Sequence, residues 1–282
     1  ASFGTRFHLD VRTMNEVTSI DKDGRKVTVI DHHTGKSYTE SYDKLVLSPG
    51  AEPVKPPLPG INQEGIFTLR NVPDTDHIKK FINDKNPKHA VVIGAGFIGL
   101  EMAENLHQCG INVTIVEMAD QVMTPLDYSM AALVHQHLKT KNVEFYLKTA
   151  VSSFDRENDR ILVKMSSSKV IRTDMVILSI GVKPDSRLAK EAGLETGETG
   201  GIVVNEFMQT SDTDIYALGD AIEFTNPVTG TRMITYLAGP ANKQGRIVAD
   251  NIVRGNVKKY HGSINTAIAK VFDVTVAATG VS

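Results

Sequence analysis

Residues 1–53 read as β-structure, and over Lys26–Asp31 apolar and polar positions alternate as a half-buried strand requires. Strands are expected near His8–Arg12, at Val17–Asp21 and at Lys26–Asp31, with Asp21-Lys-Asp-Gly24 as the turn between the last two. Leu45–Leu47 is a short buried strand running into Ser48-Pro49-Gly50, and EPVKPPLPG (52–60) reads as a proline-rich crossover. The pattern then turns helical over Asp74–Asn83, with Asp74 as N-cap. Ala90–Ile93 is a continuous apolar run that suits a buried parallel strand. It is followed by a helix with Ile98, Met102 and Leu106 as its buried stripe and Gly110 after its end. Val113–Val116 is the next strand, and Asp127 opens a helix carrying Met130, Leu133, Val134 and Leu138. Further strands fall at Val143–Leu147, Val151–Asp155, Ile161–Met165, Lys169–Thr173, Met175–Ile180, Ile202–Val204 and Ile215–Leu218. A helix runs from Ala241 to Arg254, opened by Pro240 and capped at Gly255.

The pattern repeats. YDKLVLSPGAEP (42–53) matches TDMVILSIGVKP (173–184) at Asp43/Asp174, Leu47/Leu178, Ser48/Ser179, Gly50/Gly181 and Pro53/Pro184, an offset of 174 − 43 = 131. Upstream, VTSIDKDGRKVTV (17–29) matches VSSFDRENDRILV (151–163), with Val17/Val151, Ser19/Ser153 and Asp21/Asp155 offset by 151 − 17 = 134. Each block is a meander followed by a strand ending in glycine, the back half of a nucleotide-binding fold. The second block is preceded by a front half and the first is not. Equal spacing would put the first glycine of the missing half at 94 − 134 = −40, before Ala1. The chain is therefore expected to lack the start of its first nucleotide-binding domain.

The chemistry concentrates in HAVVIGAGFIGLEMAENLHQCGINVTIVE (89–117). Gly94, Gly96 and Gly99 form G-x-G-x-x-G where a strand must turn into a helix. The first allows the tight turn, the second lets backbone approach a pyrophosphate, and the third lets helix and strand pack closely. Glu117 ends the next strand, 23 residues after Gly94, where a carboxylate accepts hydrogen bonds from ribose hydroxyls. It opposes a 2′-phosphate, and the following MADQVM has no Arg or Lys, so NAD(H) is expected in preference to NADP(H). A second motif, TSDTDIYALGD (210–220), ends a short strand in Gly219-Asp220, placing a carboxylate at the crevice where open α/β sheets bind ligands. On these residues alone, a sugar-binding role and a plain turn remain equal readings of Asp220. The helix opened by Pro240 offers a positive end to an anionic ring or phosphate.

At 282 residues the chain is long enough for two cores, and 41% hydrophobic and 23% charged residues are ordinary for a globular protein. A net charge of −2 gives no basic footprint for nucleic acid or anionic membrane. The longest apolar run, Ala90–Leu100, is 11 residues with three glycines, too short to span a bilayer. ASFGTRFHLD lacks the apolar core of a signal peptide, and one cysteine excludes an intrachain disulfide, so the cytoplasm is the expected compartment. Cys109 is expected at the buried end of a packed helix beneath the glycine turn and reads as structural. His135 and His137, two residues apart on a helix, point to different faces and make a poor metal pair; no metal site is expected. No G-x-S-x-G elbow supports Ser-His-Asp catalysis.

LVLSPGA (45–51), the G-x-G-x-x-G followed by LEMAENL (100–106), TSDTDIYALGDA (210–221) and LAGPANKQGRIVADNI (237–252) together resemble the FAD- and NAD(P)-dependent pyridine nucleotide-disulfide oxidoreductases. Within that family the chain looks most like the coenzyme A disulfide reductases, including rhodanese-fused forms, on VEMADQVMTPLDYSMAALVHQHL (116–138) and KVFDVTVAATG (270–280). The resemblance implies a Rossmann-like α/β fold with two dinucleotide-binding domains, each a parallel sheet plus β-meander, the first incomplete. It divides the chain into 1–71 and 201–260 for FAD, 72–200 for NAD(H), and 261–282 as the start of a dimerisation domain whose first strand is Ile268–Val276. It implies NAD(H) on Gly94, Ala95, Gly96, Phe97, Ile98, Gly99 and Glu117, with Gly181 near the adenosine end. Phe97 would gate the nicotinamide–flavin contact, and Glu101 would face the flavin and pair with a lysine from outside this chain. Pro49, Gly50, Asp220, Leu237 and Ala238 would line the FAD site. The family's redox cysteine, in Ser-Phe-x-x-Cys, is absent here, so no catalytic residue is assigned and the chain alone is expected to be colourless and inactive. The implied activity is NADH-dependent reduction of a small-molecule disulfide or persulfide by a homodimer. NADH oxidase or peroxidase, electron transfer to a small redox protein, a non-catalytic NADH-binding module, and a single-Rossmann dehydrogenase are the alternatives.

Overall fold

A computed structural model describes residues 2–280, which fall into two compact units. One comprises 1–51 with 184–263, the other 52–183 with 264–282.

In the first unit, Asn15–Asp21, Lys26–Asp31 and Lys36–Ser41 form an antiparallel meander. Asp21 closes its first turn by accepting the Gly24 N–H at 2.9 Å. The third strand, KSYTES, carries no apolar alternation because every residue but Tyr38 is exposed, which hid it from the pattern. Leu45–Leu47 pairs in parallel with Ile215–Ala217. Ile202–Val203, Ile222–Thr225 and Arg232–Met233 make a small mixed sheet. Ile20, Val27, Leu47, Met208, Ile215 and Ile247 lie in one core. The strand expected at His8–Arg12 does not form: Ser2–Phe7 is helical, and Leu9 and Val11 stay exposed. Alternation specifies a strand only where a partner backbone and a buried face are available. The last helix begins at Ala238, not Ala241. Pro240 fits its first turn, where the missing N–H has no intrahelical partner to lose.

The second unit is built on a five-stranded parallel sheet ordered Ile66–Thr68, Met175–Leu178, His89–Ile93, Asn112–Val116, Glu144–Tyr146. Successive side chains leave its opposite faces. Ala90, Val92, Ile115 and Ile177 pack with Leu100, Ala103, Leu106, Val134 and Leu138 of two helices. Val91, Ile93, Val116, Val176 and Leu178 pack with Phe154, Ile161 and Val163 of a second meander, Val151–Glu157, Arg160–Met165 and Val170–Thr173. Burial on both faces is why these strands read as unbroken apolar runs.

Several helix readings shift. Val72–Lys85 is capped by Asn71; Asp74 is its third residue, closing a reciprocal capping box with Asn71. In Phe97–Gln108 the buried stripe is Leu100, Ala103 and Leu106, while Ile98 is 39% exposed. In Tyr128–Thr140 Val134 and Leu138 are buried, but Met130 and Leu133 face outward. The single strand expected over 268–276 is a hairpin, Thr266–Val271 with Val274–Thr279, turned at Phe272 (φ 52°). It belongs to the second compact unit because the Phe272 N–H donates to Glu104 at 2.8 Å and its ring meets His107 edge-on. Residues 184–200 belong to the first unit, where the helix Arg187–Glu191 packs on Asn15–Asp21.

The repeat is visible in three dimensions. The meanders carry a register irregularity between Val17 and Ser19 and between Val151 and Ser153, the offset of 134 again. The Val54 N–H donates to the Gly181 carbonyl, and the Asp185 N–H to Gly50, each at 2.9 Å. Those partners are related by 131 residues.

Candidate functional site

In the second unit the strand His89–Ile93 delivers the chain to Gly94 with φ +98°. A Cβ there would lie 2.3 Å from the Ser179 carbonyl oxygen, and one on Gly99 would lie 2.0 Å from the Gly94 carbonyl oxygen. The fold itself requires these two glycines. Gly96 is different: its φ of −76° suits any residue, and a Cβ would meet nothing within 4 Å. It caps the helix Phe97–Gln108 without a side-chain hydrogen bond, so the first-turn N–H groups are presented to open space. A turn with room above it and an uncapped helix N-terminus fits a pyrophosphate.

Glu117 is tied into this turn. Its Oε2 accepts the Ala95 N–H at 2.6 Å and its Oε1 the Ala119 N–H at 2.8 Å. The carboxylate is thereby fixed in direction, and its remaining lone pairs are available to hydroxyls. Ala95 is buried, and its carbonyl accepts the Met123 N–H at 2.9 Å. Ser179 was legible only as a shared repeat position. Its Oγ lies 2.9 Å from the Ile93 carbonyl and 3.1 Å from that of Gly94, bracing the turn from the neighbouring strand. Gly181, at φ +113°, is exposed beyond the end of that strand. Phe97 is half-buried against the core, Ile98 is exposed, and Glu101 is exposed one turn further along, its carboxylate in no ion pair among the described residues.

In the first unit, Pro49-Gly50 and Gly219-Asp220 follow two adjacent parallel strands, joined where the Leu218 N–H donates to Leu47 at 3.0 Å. Both glycines are left-handed (φ 79° and 77°). Burial pushes the Asp220 carboxyl upward in pKa; the Tyr236 phenol is raised by burial and by Asp220. Leu237 caps the helix that begins at Ala238, without a side-chain cap hydrogen bond. Gln244, buried on that helix, accepts the Gly219 N–H at 2.8 Å and holds the turn. Sequence reasoning missed Gln244, which looks like any polar helix residue until its partner is seen. Two strand-end turns, a carboxylate and a free helix N-terminus fit a polyol chain joined to an anionic ring.

Cys109 is exposed, contrary to its expected burial, because it follows the last helical residue as the C-cap. His135 is buried, and its Nε2 accepts the Val122 N–H at 3.1 Å; burial lowers its pKa. Among the described residues no group of three His, Cys, Asp or Glu could hold a metal, and no helix is long and apolar enough to cross a membrane.

Residues 4–258 match the family described as pyridine nucleotide-disulphide oxidoreductase. An NADH oxidase of Methanocaldococcus jannaschii is 35% identical over 98% of this chain and 61% of its own length. A coenzyme A disulfide reductase of Staphylococcus haemolyticus is 31% identical over 99% of this chain and 62% of its own. The solved structure of reduced Bacillus anthracis CoADR-RHD superposes with a TM-score of 0.96 at 51% identity, covering 99% of this chain and 50% of that one. The chain thus spans about three-fifths of the curated relatives it matches.

Proposed function

Because the chain belongs to the pyridine nucleotide-disulphide oxidoreductase family, we propose that it forms the NADH-binding portion and part of the flavin-binding portion of a coenzyme A disulfide or coenzyme A persulfide reductase. The observation that carries the reading is the unfilled space over Gly96 beside an uncapped helix N-terminus. FAD, when bound, supplies the relay of an electron pair from the nicotinamide toward a disulfide. In this reading Gly94–Gly99 bind the NADH pyrophosphate and Glu117 accepts its ribose hydroxyls. Gly181 borders the adenosine end. Phe97 gates the contact between nicotinamide and flavin, and Glu101 faces the flavin. Pro49, Gly50, Asp220, Leu237 and Ala238 orient the flavin and its ribityl chain. Cys109, exposed at the C-cap of Phe97–Gln108, is not the redox thiol. The full protein acts as a homodimer on a small-molecule substrate.

The similarity to an NADH oxidase favours a second reading, in which dioxygen is the acceptor. The FAD-loaded protein that carries this chain is assayed for NADH consumption with coenzyme A disulfide, coenzyme A persulfide or dioxygen. Fastest turnover with a coenzyme A acceptor, retained in Cys109→Ser, is expected. Turnover with dioxygen alone selects the oxidase, and no turnover with any acceptor rejects both readings.

A further inference from the structure

One buried titratable group, His135, has no part in the contacts assigned to the dinucleotide, yet it is joined to them. After Glu117 the chain turns inward, and Gln121, Val122 and Met123 are buried as a strap against the glycine turn. Gln121 Nε2 donates to the Leu126 carbonyl at 2.7 Å, and the Leu126 N–H to that of Met123 at 2.8 Å. Met123 is left-handed at φ 51°, a conformation that such a side chain keeps only where its surroundings fix it. The Met123 N–H donates to the Ala95 carbonyl at 2.9 Å, and the adjacent Val122 N–H to His135 Nε2 at 3.1 Å. Ala95 in turn gives its own N–H to Glu117 Oε2 at 2.6 Å. His135, on the helix Tyr128–Thr140, thus reaches the Glu117 carboxylate through Val122, Met123 and Ala95.

We propose that His135 is a positioning residue for the dinucleotide: as a neutral imidazole it holds the strap that fixes Ala95 and Glu117, and on protonation it releases that strap, so acid weakens nucleotide binding. The proposal rests on the dinucleotide reading of the glycine turn. A ring nitrogen that accepts an N–H carries no proton, so this contact needs the neutral imidazole with its proton on Nδ1. Protonation sets one N–H against another and leaves the buried Val122 donor without a partner. The groups facing the ring do not offset this. Phe145 lies at 5.4 Å between centroids and Tyr128 edge-on at 6.3 Å; the charged group that acts on the ring is Lys139 of the same helix. Among the described residues no carboxylate is paired with it. Burial first and Lys139 second lower its pKa, so the contact is intact above 6.5 and is lost as pH falls below that value.

The chain is titrated with NADH, following nicotinamide fluorescence, between pH 7.5 and 5.5 as wild type, His135→Gln and His135→Leu, with circular dichroism checking the fold at each pH. The wild-type dissociation constant should rise at least about threefold across that range. Glutamine can accept from Val122 at any of these pH values, so the constant for His135→Gln should stay nearly level. Leucine accepts at none of them, so His135→Leu should bind weakly throughout; if it does not fold, the glutamine comparison still decides. A pH dependence equal in wild type and His135→Gln, or absent from wild type, overturns the proposal. Failure of the folded wild type to bind NADH at pH 7.5 would instead overturn the dinucleotide reading itself.

Discussion

The two copies of the internal repeat start from similar sequence and end in different surroundings. Val46 and Ile177 occupy the same repeat position, 131 residues apart, in strands that both lead to a left-handed glycine. Ile177 is completely buried, flanked by strands on both sides and covered by helices. Val46 is 38% exposed in a strand paired only with Ile215–Ala217 among the described residues. The meander and the strand-to-glycine exit are local enough to form in both settings; depth of burial is set by neighbours that the repeat does not encode.

That difference can be broken by truncation. Ile177→Ala should cost about 2–5 kcal/mol, the usual loss for a large aliphatic in a close-packed core. Val46→Ala should cost under about 1 kcal/mol, since much of its side chain is already in water. Urea denaturation of both variants decides it, and equal losses would mean that the two strands share one environment.

Acid should separate the units next. Burial lowers the pKa of His89 and His135, both in the second unit. A base whose folded pKa is depressed stabilises the fold fully above its ordinary value near 6.5. As pH falls through that value the unfolded chain takes up the proton first, and stability declines until the folded pKa is reached. In the first unit, Asp214 is held low chiefly by Lys44 and Asp250 by Lys258; these carboxylates lose their contribution only as pH falls below about 3.8. Between pH 7.5 and 5.5 hydrogen exchange, corrected for its intrinsic rate, should therefore quicken in the second unit before the first. His135→Gln keeps an acceptor for the Val122 N–H and should flatten part of that dependence. Parallel loss of protection in both units would contradict the assignment.

The glycine turn, the two parallel-sheet strands beside it and the repeat were legible because each imposes a local rule: a residue type at fixed spacing, or an apolar run of strand length. The family match over 4–258 and the α/β sheet-plus-meander architecture agree with that reading. Features depending on a partner were not legible. Lys36–Ser41 forms a strand because Lys26–Asp31 offers an edge, and His8–Arg12 fails to form one for want of any. The helix stripe slipped from Ile98 and Met102 to Leu100 and Ala103 because three apolar residues fit either face until the sheet chooses. Ser179 and Gln244 come beside the turns from distant sequence, so no local motif could reveal them.

The central claim is that residues 94–117 bind a dinucleotide, and Gly96 tests it most directly. Gly94 and Gly99 are needed for folding, so replacing either confuses stability with binding. At Gly96 the backbone accepts alanine and the protein leaves room for its methyl, so only a ligand would meet it. Gly96→Ala should melt within a few degrees of wild type, a change of under about 1 kcal/mol, and should bind NADH at least about tenfold more weakly, a loss of about 1.4 kcal/mol. An alanine variant that folds and binds NADH as tightly as wild type would contradict the account.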